Sequence, residues 1–213
     1  MTETADRILD AALPAIVFDG WTQATLENAA QTLGLDAFAV KRAFPDGVVD
    51  ALALFHSRAD ARMVETLRRD YQLPTMKIRE RIATAVMVRM RQQLPEREAV
   101  RRAAGFYALP WHTAAGLKAL YATVDAMWRE AGDTSTDYNF YTKRLMLAGV
   151  LKSTTGVWLE DGSDDLAETE AFLYRRIENV MQIEKAKAKL RDGALPLAAK
   201  VDRLPSRFHQ NGV

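Results

Sequence analysis

The residues that stop helices are spaced so that this chain has room for little except helices. Gly20, Gly34, the Pro45-Asp46-Gly47 turn, Pro74, Pro95, Pro110 and the Asp161-Gly162-Ser163 turn cut it into pieces of helical length. Between these breaks Ala, Leu, Arg, Glu and Met are abundant, and no long β-branched alternation occurs. The pattern predicts helices near 3–19, 24–33, 37–44, 48–71, 75–93, 96–108, 112–131, 137–158 and 164–190. Gly20 and Gly34 stand where a left-handed residue ends a helix, and Asp36 is placed to cap the third. The expected class is an all-α bundle.

Composition excludes several chemistries. There is no cysteine, so disulfide, iron–sulfur and thiolate chemistry are absent. His56, His112 and His209 form no ligand pair, and we expect no metal and no cofactor. No GxSxG, HExxH or paired Glu-x-x-His motif is found, which points to a non-enzymatic protein. The N-terminus carries acids where a signal peptide needs bases, and no apolar run is long enough to span a bilayer. These features predict a cytoplasmic protein.

Residues 1–50 read as three short helices with a Gly34-Leu35 turn between the second and third, a helix-turn-helix-like unit. The stretch RILDAALPAIVFDGWTQATLENAAQTLGLDAFAVKRAF resembles the start of TetR-type regulators. The resemblance lies in the Ile-Leu-x-Ala-Ala first helix, the glycine before the second, and an aromatic, Phe44, ending the recognition helix. Charge opposes the corresponding function. The unit holds three bases and eight acids, whereas phosphate neutralisation dominates DNA affinity. Its recognition helix offers only Lys41 and Arg42 among mostly apolar side chains. We expect no nucleic acid partner.

From about Leu109 onward the chain resembles the COQ-nine family of ubiquinone (coenzyme Q) biosynthesis proteins, through Leu109-Pro110 and VDAMWREAGDTSTDYNFYTKRLMLAGV. Met127-Trp128, Ala131-Gly132-Asp133, Ser135-Thr136-Asp137, Asn139, Tyr141-Thr142 and Arg144 carry the match. Phe140 stands where the family usually has Trp, and Ala126 where it has a second acid. The resemblance implies a TetR-like all-helical homodimer that binds isoprenoid or quinone-like lipid. It also implies association with a ubiquinone-pathway hydroxylase through a patch that includes this motif. In this chain the patch comprises Asp125, Met127, Trp128, Asp137, Phe140, Tyr141 and Arg144.

The residues themselves add three expectations. The helix from 137 is apolar on two faces: Tyr138, Tyr141, Leu145 and Ala148 on one, Phe140, Leu147, Leu151 and Trp158 on another. Such a helix is buried or touches something beyond its own core. One face would pack inside, leaving a Phe140–Tyr141 edge exposed with Asp125, Asp137, Lys143 and Arg144 as its polar rim. Met87, Met90, Phe106, Trp111, Leu120, Leu147 and Leu151 could line an apolar pocket between helices. A pocket of several hundred Å³ holds a head and about three isoprene units, so a longer tail must remain in the bilayer. The tail from 185 carries seven bases and two acids. Its Leu197, Lys200, Val201, Arg203, Leu204 and Phe208 fit a basic amphipathic membrane contact.

The sequence therefore reads as a helix-turn-helix-like unit (1–50), a helical lipid-binding and dimerisation domain (51–190) and a basic tail (191–213). The expected function is to bind a polyprenylated quinone precursor at the inner face of the cytoplasmic membrane and present it to a hydroxylase. The alternative is a TetR-type transcription regulator with an apolar effector.

Overall fold

A computed structural model describes residues 2–136 and 138–182. Contacts group residues 1–174 into one compact unit and 175–213 into another. The first unit contains α1 (Thr2–Asp19), α2 (Gln23–Thr32), α3 (Ala39–Ala43) and α4 (Val48–Asp70), followed by α5 (Ile78–Gln92), α6 (Arg97–Tyr107), α7 (Thr113–Glu130) and α8 (Tyr138–Glu160). A ninth helix, α9, covers 167–182. Among the described residues there is no strand. The tail positions Leu197, Lys200, Val201, Arg203, Leu204 and Phe208 lie outside the described residues, as does Asp137.

The punctuation works as the sequence predicts. Gly34 sits at φ +70, a conformation that side chains with a Cβ rarely adopt. There its N–H donates to the Gln31 carbonyl at 2.9 Å, and the Leu35 N–H donates to the Ala30 carbonyl at 3.0 Å, closing α2. Thr22 caps the start of that helix by accepting from the Thr25 N–H at 3.1 Å. The third helix is shorter than expected. Asp36 Oδ1 accepts from the Phe38 N–H at 2.8 Å, fixing a turn ahead of the helix, which begins only at Ala39. Asp36 is thus a turn residue and not its cap.

The N-terminal helices pack on one apolar stripe. Ile8, Leu9, Ala12 and Ile16 of α1 are wholly enclosed, with Leu26 of α2, Val40 and Phe44 around α3, and Leu52 and Phe55 of α4. Each large side chain contributes about 1.5–3 kcal/mol on burial. Trp21 joins this module to the rest of the unit by donating its indole N–H to the Ala99 carbonyl at 2.9 Å. Below lies a second core from Met63 and Leu67 of α4, Val86 of α5, Val124 and Met127 of α7, and Leu147, Leu151 and Trp158 of α8. Antiparallel α7 and α8 thus present one side to this core and leave the other free.

Candidate partner-binding site

The turn between α7 and α8 is built on Gly132, whose φ of +87 ends α7. Its reversal brings the Asp133 N–H to the Trp128 carbonyl at 2.9 Å and aims the Asp133 carboxylate back under α8. Oδ1 accepts from Ser135 Oγ at 2.8 Å and Lys143 Nζ at 2.7 Å, while Oδ2 accepts from Arg144 Nη1 at 3.0 Å. Arg144 also donates to Asp125 Oδ1 at 2.6 Å and to the Phe140 carbonyl at 3.1 Å. Its guanidinium lies 3.4 Å from the Phe140 ring centroid. Arg129 engages the other Asp125 oxygen at 2.8 Å. Burial alone raises the Asp133 pKa, but the bonds from Lys143, Ser135 and Arg144 outweigh it and hold the carboxyl well below its usual range.

This arrangement corrects the sequence reading of the patch. Arg144 is only 1% exposed and Met127 is fully buried, so neither lies on the surface. A cation can be interior here because two carboxylates and a carbonyl neutralise and bond it. Trp128 is half-buried, donates its indole N–H to the Lys143 carbonyl at 3.1 Å and lies under the Lys143 ammonium. Phe140 is half-buried beneath Arg144, with its ring edge-on to Tyr141 at 5.1 Å. What faces outward is Tyr138 (80% exposed), Tyr141 (65%) and Leu145 (75%), three bulky side chains on one face of α8. Tyr138 and Leu145 are the members of this face that the sequence-derived patch omitted. Their i, i+3, i+4 spacing was the available signal.

The pocket candidates differ in burial. Met87, Met90, Leu147 and Leu151 are buried, and Phe106 and Leu120 are half-buried. Trp111 is 72% exposed in the turn between α6 and α7, edge-on to His112. It lines no interior space. Among the described residues, an open depression of about 410 Å³ lies at α2 and α3, lined by Gln31, Leu35, Asp36 and Val40 among others.

The core also holds a polar network that no sequence motif announced. Asp60 of α4 accepts from Arg89 Nε of α5 at 2.7 Å and from Thr123 Oγ1 of α7 at 2.9 Å. Arg89 Nη1 donates to Gln93 Oε1. One turn before Asp60, His56 has its pKa pushed down to about 3, by burial first and then by the Arg89 charge. The one sequence signal was an arginine inside the apolar run Ala85-Val86-Met87-Val88-Arg89-Met90. Among the described residues no group of His, Asp and Glu could hold a metal ion.

The helix-turn-helix-like unit above a helical core defines a TetR-like all-α protein. A crystal structure of the TetR transcriptional regulator from Nitrosomonas europaea ATCC 19718 matches with a TM-score of 0.66. It covers 83% of this chain and 97% of that one at 18% identity, a level that speaks to fold alone. The model of the COQ9 family, the COQ-nine family of the resemblance above, matches residues 113–184 of this chain. This chain is 34% identical over 183 residues to the ubiquinone biosynthesis protein COQ9, mitochondrial, of Bos taurus and of Homo sapiens. The Drosophila melanogaster protein of that name is 28% identical over 181 residues, or 84% of this chain. The chain spans 57% of the length of the bovine and human relatives, whose matches cover 83% of it.

Proposed function

We propose that this chain is a non-enzymatic, lipid-binding accessory protein of ubiquinone biosynthesis. It binds a polyprenylated quinone precursor, works as a homodimer at a membrane surface and presents its ligand to a pathway hydroxylase that performs the chemistry. The observation that carries the reading is the outward Tyr138–Tyr141–Leu145 face, set on the buried Asp125–Arg144–Asp133 cluster. Exposed aromatics are common interface anchors, and the helix that carries this face is anchored through Lys143 and Arg144. Curated relatives named for ubiquinone biosynthesis support the pathway. No described helix is long and apolar enough to cross a membrane.

The regulator reading draws little from the geometry. The recognition helix has five residues. Arg42 is tied to Asp36 and Lys41 donates to the Pro45 carbonyl, so both of its bases already have internal partners.

The test measures binding of the ubiquinone-pathway hydroxylase from the same cell to the full chain and to two variants, Tyr141→Ala and Leu145→Asp. Both sites are exposed, so each variant keeps its stability to within about 0.5 kcal/mol. Each loses more than about tenfold in affinity, as expected of an anchor residue. Phe140→Lys is a poorer probe, since it would place an ammonium beside Arg144. Unchanged hydroxylase affinity in both variants sinks the docking reading.

A further inference from the structure

The α6–α7 turn holds a tryptophan out in water. Trp21 and Trp158 are buried and Trp128 is half-buried, but Trp111 is exposed, with exposed Leu109 and Pro110 beside it. The face of α7 that follows is no more polar. Ala114, Leu117 and Tyr121 continue from Trp111 at i, i+3 and i+4 spacing, and all are exposed. A contiguous apolar surface of this kind marks a contact with something outside the protein, unlike bulky side chains scattered singly. The turn is also braced. The Leu109 carbonyl accepts from the His112 N–H at 2.9 Å and from Thr113 Oγ1 at 3.2 Å. The His112 ring stacks on Phe106 at 3.8 Å and 13°. Behind it, α7 passes so close to α6 that a Cβ on Gly116 would lie 2.8 Å from Tyr107 Cγ. The inner side of this hairpin is therefore filled, and Trp111 and Leu117 belong to its outer side.

Charge indicates what that surface meets. The chain has 28 acids, yet none falls between Ala99 and Val124. The bases of that stretch are Arg101, Arg102 and Lys118. Both arginines are paired with Glu98, and Arg101 with Glu160 as well. Lys118 is exposed beside Leu117 and forms no ion pair among the described residues. A protein partner is recognised through a polar rim that supplies hydrogen bonds. Here the surroundings are instead small and apolar, with Ala104, Ala108 and Ala122 also exposed. A bilayer needs no such rim. Its interface takes up Trp and Tyr at headgroup level, and its anionic phosphates attract a free Lys and repel acids.

We infer that the α6–α7 turn and the adjoining face of α7 insert into the surface of an anionic bilayer, with Trp111 and Leu109 entering first, Leu117 and Tyr121 beside them, and Lys118 on a lipid phosphate. This rests on the membrane-surface reading above and assigns the part of the folded domain that makes the contact. The assignment leaves the Tyr138–Tyr141–Leu145 face free. That face begins at the opposite end of α7, whose 18 residues span about 27 Å. One helix thus separates a lipid-facing end from a partner-facing end.

The test follows Trp111 itself. The full chain is mixed with vesicles of equimolar phosphatidylcholine and phosphatidylglycerol whose acyl chains are brominated, and quenching of tryptophan emission is read. Trp111→Phe serves as the reference, since it keeps an apolar ring and lacks this one fluorophore. The expected result is that bromine quenches the unaltered chain and that most of the quenching is missing from Trp111→Phe. In co-sedimentation with the same lipids unbrominated, Trp111→Asp and Leu117→Asp each bind about tenfold more weakly or worse. A chain that sediments with the vesicles while Trp111 stays unquenched overturns the inference and leaves the membrane reading standing on another segment. A chain that does not sediment overturns both. If Trp111→Asp binds vesicles as before but changes the oligomeric state in sedimentation velocity, the face is a contact between copies and the inference falls. Both aspartate sites are exposed, where substitutions are usually tolerated; should either variant not fold, the quenching of the unaltered chain decides.

Discussion

Replacing Asp133 by alanine is the most direct challenge to the account of the α7–α8 turn. The side chain is 2% exposed and accepts from two cations at 2.7 and 3.0 Å. Its removal leaves Arg144, equally enclosed, with Asp125 as its remaining anion. Breaking one side of a buried ion pair costs about 3–5 kcal/mol. The lower figure applies, because Asp125 still holds Arg144 at 2.6 Å and Lys143 is 34% exposed and can be rehydrated. For a chain of this size, about 3 kcal/mol lowers Tm by about 6–12 °C. Urea denaturation and calorimetry on Asp133→Ala measure both. Asp133→Asn, which keeps the shape and one acceptor, loses less. The acid limb gives a further check. The folded carboxyl sits below its usual value of 3.8, so the stability it supplies is fully present above that pH. It is lost as pH falls toward the folded value, and the Asn variant lacks that loss. A cost under about 1 kcal/mol for Asp133→Ala would refute the claim that this cluster holds the start of α8.

Two further predictions concern the core. Gly116→Ala places a Cβ 2.8 Å from Tyr107 Cγ, and the stacking of Tyr107 on His56 limits its retreat. A clash of about 1–3 kcal/mol outweighs the gain of about 1 kcal/mol from alanine in a helix, so urea unfolding should show net destabilisation; a stabilised variant would show that Tyr107 moves freely. His56, with its pKa down at about 3 against an ordinary 6.5, is neutral in the fold and titrates in the unfolded chain. Its stabilisation is complete above about pH 6.5 and declines as pH falls toward 3, so stability measured from pH 7 to 4.5 should slope downward in the parent and less so in His56→Phe.

The parts of this fold governed by local rules could be read directly. Gly34 announces its own left-handed turn, and Pro74 stands in the break between α4 and α5. The family motif was equally visible in the residues around Ala131-Gly132-Asp133. The outward side of α8 was harder, because a helix apolar on two faces carries no preference that local sequence can express. Which face is buried depends on α7, through Asp125 and Trp128. Arg144 was read as a surface cation because the carboxylates that let it be interior lie 11 and 19 residues away in sequence. The Asp60–Arg89–Thr123 network is more dispersed still, spanning three helices with no shared motif. Trp111 shows the converse: its apolar character suggests the interior, but it stands in the short turn 108–112 between α6 and α7 and is exposed.

Thr123 and Asp125 stand two residues apart on α7, and each belongs to a different polar network. One secures the core through Asp60, the other secures α8 through Arg144. In a continuous helix these two side chains are geared: α7 cannot roll about its axis to release one without displacing the other. The outer face of α8 and the centre of the bundle are therefore tied to one and the same helix, through side chains less than a turn apart.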